Sequence, residues 1–206
     1  IMDRIRYLRV DGRLRAQKIA EWNQPKAWPL LVLVAILALL FLPARKLYLR
    51  RENAGAAAAF DGGLEAASGD FVVVLDADDV FEPERIEALS ELATARPDLD
   101  IVTTDAAWES EGRVVGRFNG AANPFEEANQ RVAILERCFI VAPAVRRSSV
   151  LRVGGQDTEL QVSADWDCWI RMILGGSKAG SVDEPLLRYR LREGSVSSER
   201  LTSFQH

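Results

Sequence analysis

A run of five apolar residues that ends in three aspartates is the feature that most constrains the fold of this chain. Residues 71–75 are all apolar, and they are followed by Asp76, Ala77, Asp78 and Asp79. Such a run has no polar face to turn towards solvent, so it predicts a strand of a mostly parallel sheet that is covered on both faces. The carboxylates would then lie at the carboxyl end of the strand, where sheets of this kind bind ligands.

Helical patterns flank this strand on both sides. Residues 56–67 carry apolar side chains at helical spacing, and Asn53 can cap that helix. A second helix is predicted after Pro83, with an apolar face made of Ile86, Leu89 and Leu92. Residues 101–102 then begin another strand. This succession predicts an α/β fold with a mostly parallel sheet flanked by helices.

The second half of the chain continues the alternation after a polar stretch. Residues 119–129 are predicted to form a loop that borders a substrate cleft. A helix is predicted over residues 165–174, with a carboxylate, Asp165, as its first residue. Arg171 follows Asp167 by four residues, so the two are expected to form a salt bridge. A last strand is predicted over residues 186–191.

The residue composition restricts the chemistry that is available. The single histidine is the last residue, His206, and the two cysteines, Cys138 and Cys168, have no metal-site spacing. Acid/base work must therefore fall to carboxylates, and any bound metal is expected to be a hard ion with oxygen ligands, Mg²⁺ or Mn²⁺.

The charges divide the chain into a basic leader and an acidic body. Residues 1–51 carry 11 Lys/Arg and 3 Asp/Glu, a net charge of +8, whereas residues 52–206 carry 15 and 27, a net charge of −12. Nucleic-acid binding is not expected, because it would need the basic residues on the folded domain. We divide the chain into a leader, 1–46, and a domain, 47–206.

The leader contains an apolar segment, 28–43, which predicts either a membrane-spanning element or a buried element of the domain. If it spans, the denser basic cluster that follows it, Arg45, Lys46, Arg50 and Arg51, favours a cytoplasmic body at the cytoplasmic face of a membrane.

Two interpretations of the aspartates stay open from the residues alone. Three carboxylates within a few ångströms repel one another, and a divalent cation would offset that repulsion. Alternatively, the acids simply cap the following helix, whose dipole favours negative charge there. An apolar strand ending in Asp76-x-Asp78 also occurs in phosphatases of the haloacid dehalogenase type, although Lys178 follows Asp165 and Asp167 in the wrong order for that class.

Several further motifs occur in a fixed order along the chain, and with them residues 47–198 resemble the family 2 glycosyltransferases, which have a GT-A (Rossmann-like) fold. The motifs are Arg51-Glu52-Asn53-Ala54-Gly55, Ala67-Ser68-Gly69-Asp70, Leu75-Asp76-Ala77-Asp78-Asp79, Val153-Gly154-Gly155, Asp165-Trp166-Asp167, Tyr189-Arg190 and Gly194-Ser195-Val196-Ser197.

The resemblance implies a function and residue roles. Asp76 and Asp78 would bind the diphosphate of a nucleotide-sugar through Mg²⁺ or Mn²⁺, with Asp78 as the more direct ligand. Asn53 and Arg190 would contribute to donor binding, and Asp165 would be the general base of a single inverting displacement. The implied acceptor is a hydroxyl of a glycan, lipid or protein, as in the synthesis of cell-envelope polysaccharides.

The resemblance does not extend to the start of the family pattern. The Pro-x-Tyr-Asn-like and Asp-Asp-Gly-Ser motifs that open the nucleotide site are absent from residues 1–46, so the N-terminal part of the fold is expected to be incomplete or replaced. An alternative hypothesis follows, namely a non-catalytic remnant of a glycosyltransferase that binds a partner or a membrane.

Overall fold

A computed structural model describes residues 54–160 and 162–191 of the protein. The chain divides into two units, and all of these residues belong to the second one, Arg51–His206. The predicted leader, its apolar segment 28–43 and the predicted cap Asn53 lie outside the described residues. Within the described ranges, no helix is long and apolar enough to cross a membrane.

The described residues form an alternation of helices and strands, as the sequence predicts. In chain order the elements are α1 (Gly55–Ala66), β1 (Phe71–Val73), β2 (Val80–Phe81), α2 (Arg85–Ala95), β3 (Ile101–Ser110), β4 (Arg113–Arg117), α3 (Gln130–Glu136), β5 (Ala144–Arg146), α4 (Arg147–Arg152), α5 (Ala164–Leu174) and β6 (Ala179–Arg190).

The strands form one mixed sheet in the order β1-β5-β3-β6-β2, and β4 pairs with β3. The fold class is α/β, as predicted, but these strands match the prediction of a mostly parallel sheet only in part. The longest pair, β3 with β6, is parallel, whereas β1–β5, β2–β6, β3–β4 and β3–β5 are antiparallel. One physical reason lies in a connection: β4 follows β3 after only Glu111 and Gly112, and so short a turn can join only antiparallel strands.

The apolar run at residues 71–75 also differs from its predicted environment. The strand is only three residues long, and Val73 is 36% exposed and Leu75 50% exposed. A short apolar run is equally compatible with a central strand and with a half-covered one, so it does not by itself indicate burial on both faces.

Helices cover the two faces of the sheet. Ile101 and Val102 point to opposite faces because side chains alternate along a strand. Ile101 belongs to a core cluster that includes Ile134 of α3 and Trp169 of α5, whereas Val102 packs in a second cluster with Leu89 of α2.

The helix that follows the aspartates turns a different face to the core than predicted. Leu89 is buried as expected, but Ile86 is 52% exposed and Arg85 is completely buried. The inward positions are therefore Arg85, Leu89 and Leu92, which are spaced i, i+4 and i+7.

Candidate functional site

The predicted aspartates form a tight turn between β1 and β2, which we call the acidic segment (residues 76–79). The amide of Asp79 donates a hydrogen bond to the carbonyl of Asp76 at 3.1 Å and closes the turn. The side chain of Asp79 in turn accepts a hydrogen bond from the amide of Arg190 at 3.1 Å. The acidic segment is thus attached to the carboxyl end of β6, the edge where the sequence places a ligand site.

The carboxyl groups of this segment repel one another. Desolvation raises the pKa of Asp76, and the charges of Asp78 and Asp165 raise it further. The pKa of Asp79 rises to about 6, mainly through desolvation; the hydrogen bond from the Arg190 amide lowers it, and the charges of Asp76 and Asp78 raise it. The segment therefore has an excess of negative charge that a cation would relieve.

Asp165 lies close enough to this segment for its charge to act on Asp76. It stands in the first turn of α5, where the helix dipole favours a carboxylate. The same turn contains Asp167, whose carboxylate forms an ion pair with Arg171 at 2.7 Å, so this predicted salt bridge is confirmed. Asp165 has no such partner among the described residues, and its carboxylate is exposed.

Arg190 contributes its main chain to the acidic segment. Its guanidinium lies 3.6 Å from the Glu109 carboxylate, and the side chain of Arg190 is 41% exposed. A diphosphate could compete for such a loosely paired and accessible guanidinium. Arg190 contacts Asp79 through its main-chain amide and not through its side chain. The predicted role of the Arg190 side chain in donor binding stays a prediction.

The donor set of the acidic segment fits the predicted metal. Across residues 54–160 and 162–191, no group of three or more His, Cys, Asp or Glu side chains could hold a metal ion. Asp76 and Asp78 offer a pair of carboxylates, and Mg²⁺ is commonly held by one or two carboxylates together with substrate phosphates. The residues thus fit a divalent ion that arrives with a diphosphate better than a permanently caged one.

The position of Lys178 argues against the phosphatase interpretation, which needs a lysine beside the aspartates. Lys178 pairs with Asp98 at 3.3 Å, just before the amino end of β6, whereas Arg190 beside the acidic segment ends the same strand. At about 3.3 Å per residue these ends are roughly 30 Å or more apart. Lys178 therefore cannot reach a phosphate held by Asp76.

The loop predicted over residues 119–129 borders a cavity of about 440 Å³, and its predicted place beside a substrate cleft stays a prediction. Its lining includes Asp105, Asn119 and Asp183, but none of the residues predicted to carry the chemistry. Neither the acidic segment nor Asp165 lines this cavity.

Sequence reasoning missed Arg85, which lies beneath the acidic segment. Its charge interacts with Asp79, and burial lowers its pKa to about 10. The one sequence signal for it was its helical spacing with Leu89 and Leu92, which is easily overlooked because arginine is rarely fully buried.

Comparison with known proteins identifies the family. The family model described as glycosyl transferase family 2 matches residues 34–154, which is more than half of the chain. The chain belongs to glycosyl transferase family 2. The match begins within the apolar segment 28–43 and ends before Asp165, so it includes the acidic segment but not the predicted base.

Several curated relatives are named as glycosyltransferases. A glycosyltransferase of Methanocaldococcus jannaschii is 27% identical over 149 residues, which cover 71% of this chain and 51% of the relative. The putative teichuronic acid biosynthesis glycosyltransferase TuaG of Bacillus subtilis is 26% identical, covering 72% of this chain and 58% of the relative. The chain thus spans between half and three-fifths of the length of these two curated glycosyltransferases.

Solved structures support the fold. S. aureus TarS 1–349 in complex with UDP has a TM-score of 0.55 at 17% identity, covering 69% of this chain and 42% of TarS. The same protein with UDP-GlcNAc gives a TM-score of 0.57 at 18% identity, covering 73% and 43%. The GT-A architecture predicted from the sequence is therefore confirmed.

Proposed function

We propose that this glycosyltransferase domain moves a sugar from a nucleotide-sugar to an acceptor hydroxyl by a single, metal-dependent, inverting displacement. The observation that supports this most directly is the proximity of Asp165 to the acidic segment, although 89 positions separate it from Asp76 along the chain. If the acidic segment only capped the helix that follows it, it would not need a further carboxylate, Asp165, from a distant element beside it. A transferase needs both a site for diphosphate and a base next to it.

In this mechanism the acidic segment binds the donor. Asp76 and Asp78 would hold Mg²⁺ or Mn²⁺ together with the diphosphate of the nucleotide-sugar, and the guanidinium of Arg190 lies at the same edge of the sheet. When bound there, such an ion would stabilise the charge on the phosphate leaving group. Asn53 is proposed to assist donor binding.

Asp165 acts on the acceptor. Its carboxylate takes the proton from the acceptor hydroxyl while that oxygen forms a bond to the anomeric carbon. The bond from this carbon to the diphosphate breaks on the opposite face, and the nucleoside diphosphate leaves with the electron pair. An exposed carboxylate without an ion-pair partner in the described part of the chain is suited to this task, because an approaching hydroxyl can reach it.

The names of the relatives point to a substrate class. TuaG is named for teichuronic acid biosynthesis and a Myxococcus xanthus relative, RfbC, for O-antigen biosynthesis. The TarS structures contain UDP and UDP-GlcNAc. We therefore propose a uridine-nucleotide sugar as donor and a cell-envelope glycan or its lipid-linked precursor as acceptor, with the domain at the cytoplasmic face of a membrane.

Calorimetric titration tests the donor site. We expect UDP to bind in the presence of Mn²⁺ and not in EDTA, and Asp78→Ala to lower the affinity by more than about tenfold, because it removes a metal ligand. Asp165→Asn should keep Mn²⁺-dependent UDP binding, since it changes the base and not a ligand. Glu136→Ala is the matched control, because Glu136 is an exposed carboxylate at the end of α3.

The outcome separates the proposed enzyme from a remnant. If folded protein binds neither UDP nor GDP with Mn²⁺, or if Glu136→Ala weakens binding as much as Asp78→Ala does, the proposed donor site is wrong. A partner-binding or membrane-binding remnant would then be the better description.

A further inference from the structure

The arginine that begins α2 is completely buried, which is unusual for a cation. One terminal nitrogen of Arg85, Nη1, donates to the Thr104 hydroxyl at 2.7 Å, and the other, Nη2, donates to the Ala142 carbonyl at 2.7 Å. Its guanidinium carbon lies 4.7 Å from the centre of the Phe81 ring. Arg85 therefore joins β2, β3 and the segment before β5 through a single side chain.

These contacts do not include a salt bridge. Both hydrogen-bond acceptors are uncharged, and Nε of Arg85 is buried with no hydrogen-bond partner. Arg85 stays protonated at neutral pH, because burial lowers its pKa only to about 10. A buried cation that is not hydrogen-bonded to a carboxylate costs stability, and an apolar side chain of similar volume would fill the space at lower cost.

The contacts of Arg85 reach both ends of the acidic segment. On the downstream side its guanidinium stacks on Phe81, the last residue of β2. On the upstream side it binds the Ala142 carbonyl, and the carbonyl of the next residue, Pro143, accepts the amide of Val74 at 3.5 Å. Val74 and Phe81 flank the acidic segment.

The backbone at Ala142 adopts a strained conformation, which contacts such as the hydrogen bond from Arg85 must stabilise. Ala142 has a φ of +38°, a left-handed conformation that residues with a Cβ adopt at an energetic cost. Surrounding contacts must over-determine such a conformation for it to persist, and strained residues of this kind cluster at functional sites. The hydrogen bond from Arg85 is a direct restraint on that peptide unit.

We propose that Arg85 is a positioning residue, which fixes the two ends of the acidic segment so that its carboxylates face Asp165 before any ligand binds. Its buried charge also lies near Asp79 and partly offsets the repulsion within the segment. The positioning itself is a property of the unliganded protein. Its consequence for nucleotide binding rests on the proposed function.

Amide hydrogen exchange of the unliganded 206-residue chain tests the positioning. Three amides report on the acidic segment through hydrogen bonds: Val74 to Pro143, Asp79 to Asp76, and Arg190 to the Asp79 side chain. Amides of Met172 and Ile173 in the buried part of α5 report on global stability. In Arg85→Met, which keeps the volume and removes the hydrogen bonds, we expect the three reporters to exchange about tenfold faster relative to α5.

Two further variants separate positioning from simple destabilisation. Leu89→Ala truncates a buried side chain one turn along the same helix, in the cluster with Leu99 and Val102, so it should accelerate exchange without selecting the acidic segment. Arg85→Lys keeps the charge but has a single donor nitrogen, so it should recover part of the protection. If Arg85→Met and Leu89→Ala give the same exchange pattern, or if Arg85→Met changes all amides equally, the positioning role is wrong.

Titration with Mn²⁺ and UDP then measures how the positioning by Arg85 affects nucleotide binding. If the wild type binds, we expect Arg85→Met to lose at least about tenfold in affinity at a temperature where it is folded, and Leu89→Ala to bind like the wild type. Equal affinity in Arg85→Met and wild type would overturn the link to binding. Failure of the wild type to bind would instead refute the proposed function, while the exchange data would still decide whether Arg85 positions the segment.

Discussion

At the scale of single residues, the raised pKa of Asp79 predicts how the stability of the domain depends on pH. Its carboxyl accepts a hydrogen bond from the Arg190 amide but is also desolvated and lies beside Asp76 and Asp78, which together raise its pKa to about 6. In the unfolded chain the same group has an ordinary pKa near 3.8. The folded state therefore takes up a proton at a higher pH than the unfolded state does.

This difference predicts how the stability depends on pH. Between about pH 4 and pH 6 the folded state binds more protons at this site, so the contribution of Asp79 to the free energy of unfolding falls as the pH rises. Asp79→Asn keeps an oxygen that can accept the Arg190 amide and removes the charge. We expect it to stabilise the protein by about 1–2 kcal/mol at pH 7.5, and by little at pH 4.

Urea unfolding in EDTA at the two pH values checks this expectation, because the difference between variant and wild type cancels other titrating groups. Glu136→Gln is the control, since it neutralises an exposed carboxylate elsewhere. A stabilisation by Asp79→Asn that is equal at pH 4 and pH 7.5 would show that charge repulsion at this position is not the cause.

At the scale of elements, α1 is fixed to the turn after α4 by a close contact. Gly155 has a φ of +75°, and a Cβ at that position would lie 2.4 Å from the Asp61 Oδ1 atom of α1. The same Oδ1 atom accepts the amide of Gln156 at 3.0 Å, so Asp61 cannot move away without losing this hydrogen bond. Asp61 thus has a structural role in fixing α1 to this turn.

The neighbouring glycine provides a matched control for this contact. Gly154 has a φ of +85°, but nothing lies within 4 Å of the place where its Cβ would be. Gly154→Ala should cost about 1–2 kcal/mol for the left-handed backbone alone, whereas Gly155→Ala should cost about 1–2 kcal/mol more for the collision.

Thermal and urea unfolding of both variants measure the difference. In an Asp61→Ala background the extra cost of Gly155→Ala should disappear, since the colliding carboxylate is gone. Equal losses in the two single variants would contradict the close packing of α1 on this turn.

The elements also show what local sequence patterns can predict. The predicted helices 56–67 and 165–174 differ from α1 and α5 by a single residue at the ends, because helical periodicity is a local property. The direction of strand pairing depends on the path of the chain between strands, and an apolar run contains no information about it. The prediction of a mostly parallel sheet is therefore matched only in part, although the acidic segment does follow β1 as predicted.

At the scale of the whole molecule, the candidate site combines residues that local patterns could not bring together. Asp165 was connected with Asp76 only through the family resemblance, since no spacing in the chain indicates that α5 begins beside the acidic segment. Arg85 was missed because charged residues at a helix start are usually exposed, and its contacts with Thr104 and Ala142 arise only from tertiary packing. The burial of Arg85 is a result of how the helices pack on the sheet, and it cannot be inferred from the sequence of α2 alone.

The uneven charge of the chain leads to a prediction about membranes. Residues 1–51 have a net charge of +8 and residues 52–206 of −12, so attraction to anionic lipid should depend on the first part alone. Each basic residue near an anionic surface contributes about 1 kcal/mol. We expect the full chain to co-sediment with phosphatidylglycerol-containing vesicles at low salt, and the double substitution Arg50→Gln/Arg51→Gln to weaken that binding roughly thirtyfold.

The domain contains a matched pair of basic residues for comparison. Arg113 and Arg131 are exposed, and Arg113→Gln/Arg131→Gln removes the same charge from the acidic body, so it should leave vesicle binding unchanged. Release of the bound protein by 1 M salt would indicate a purely electrostatic contact, because the Debye length falls to about 3 Å at that ionic strength. Retention in 1 M salt would show that the apolar segment 28–43 also inserts. Equal weakening by the two double substitutions would mean that net charge, and not the basic residues of the segment 1–51, governs the attraction.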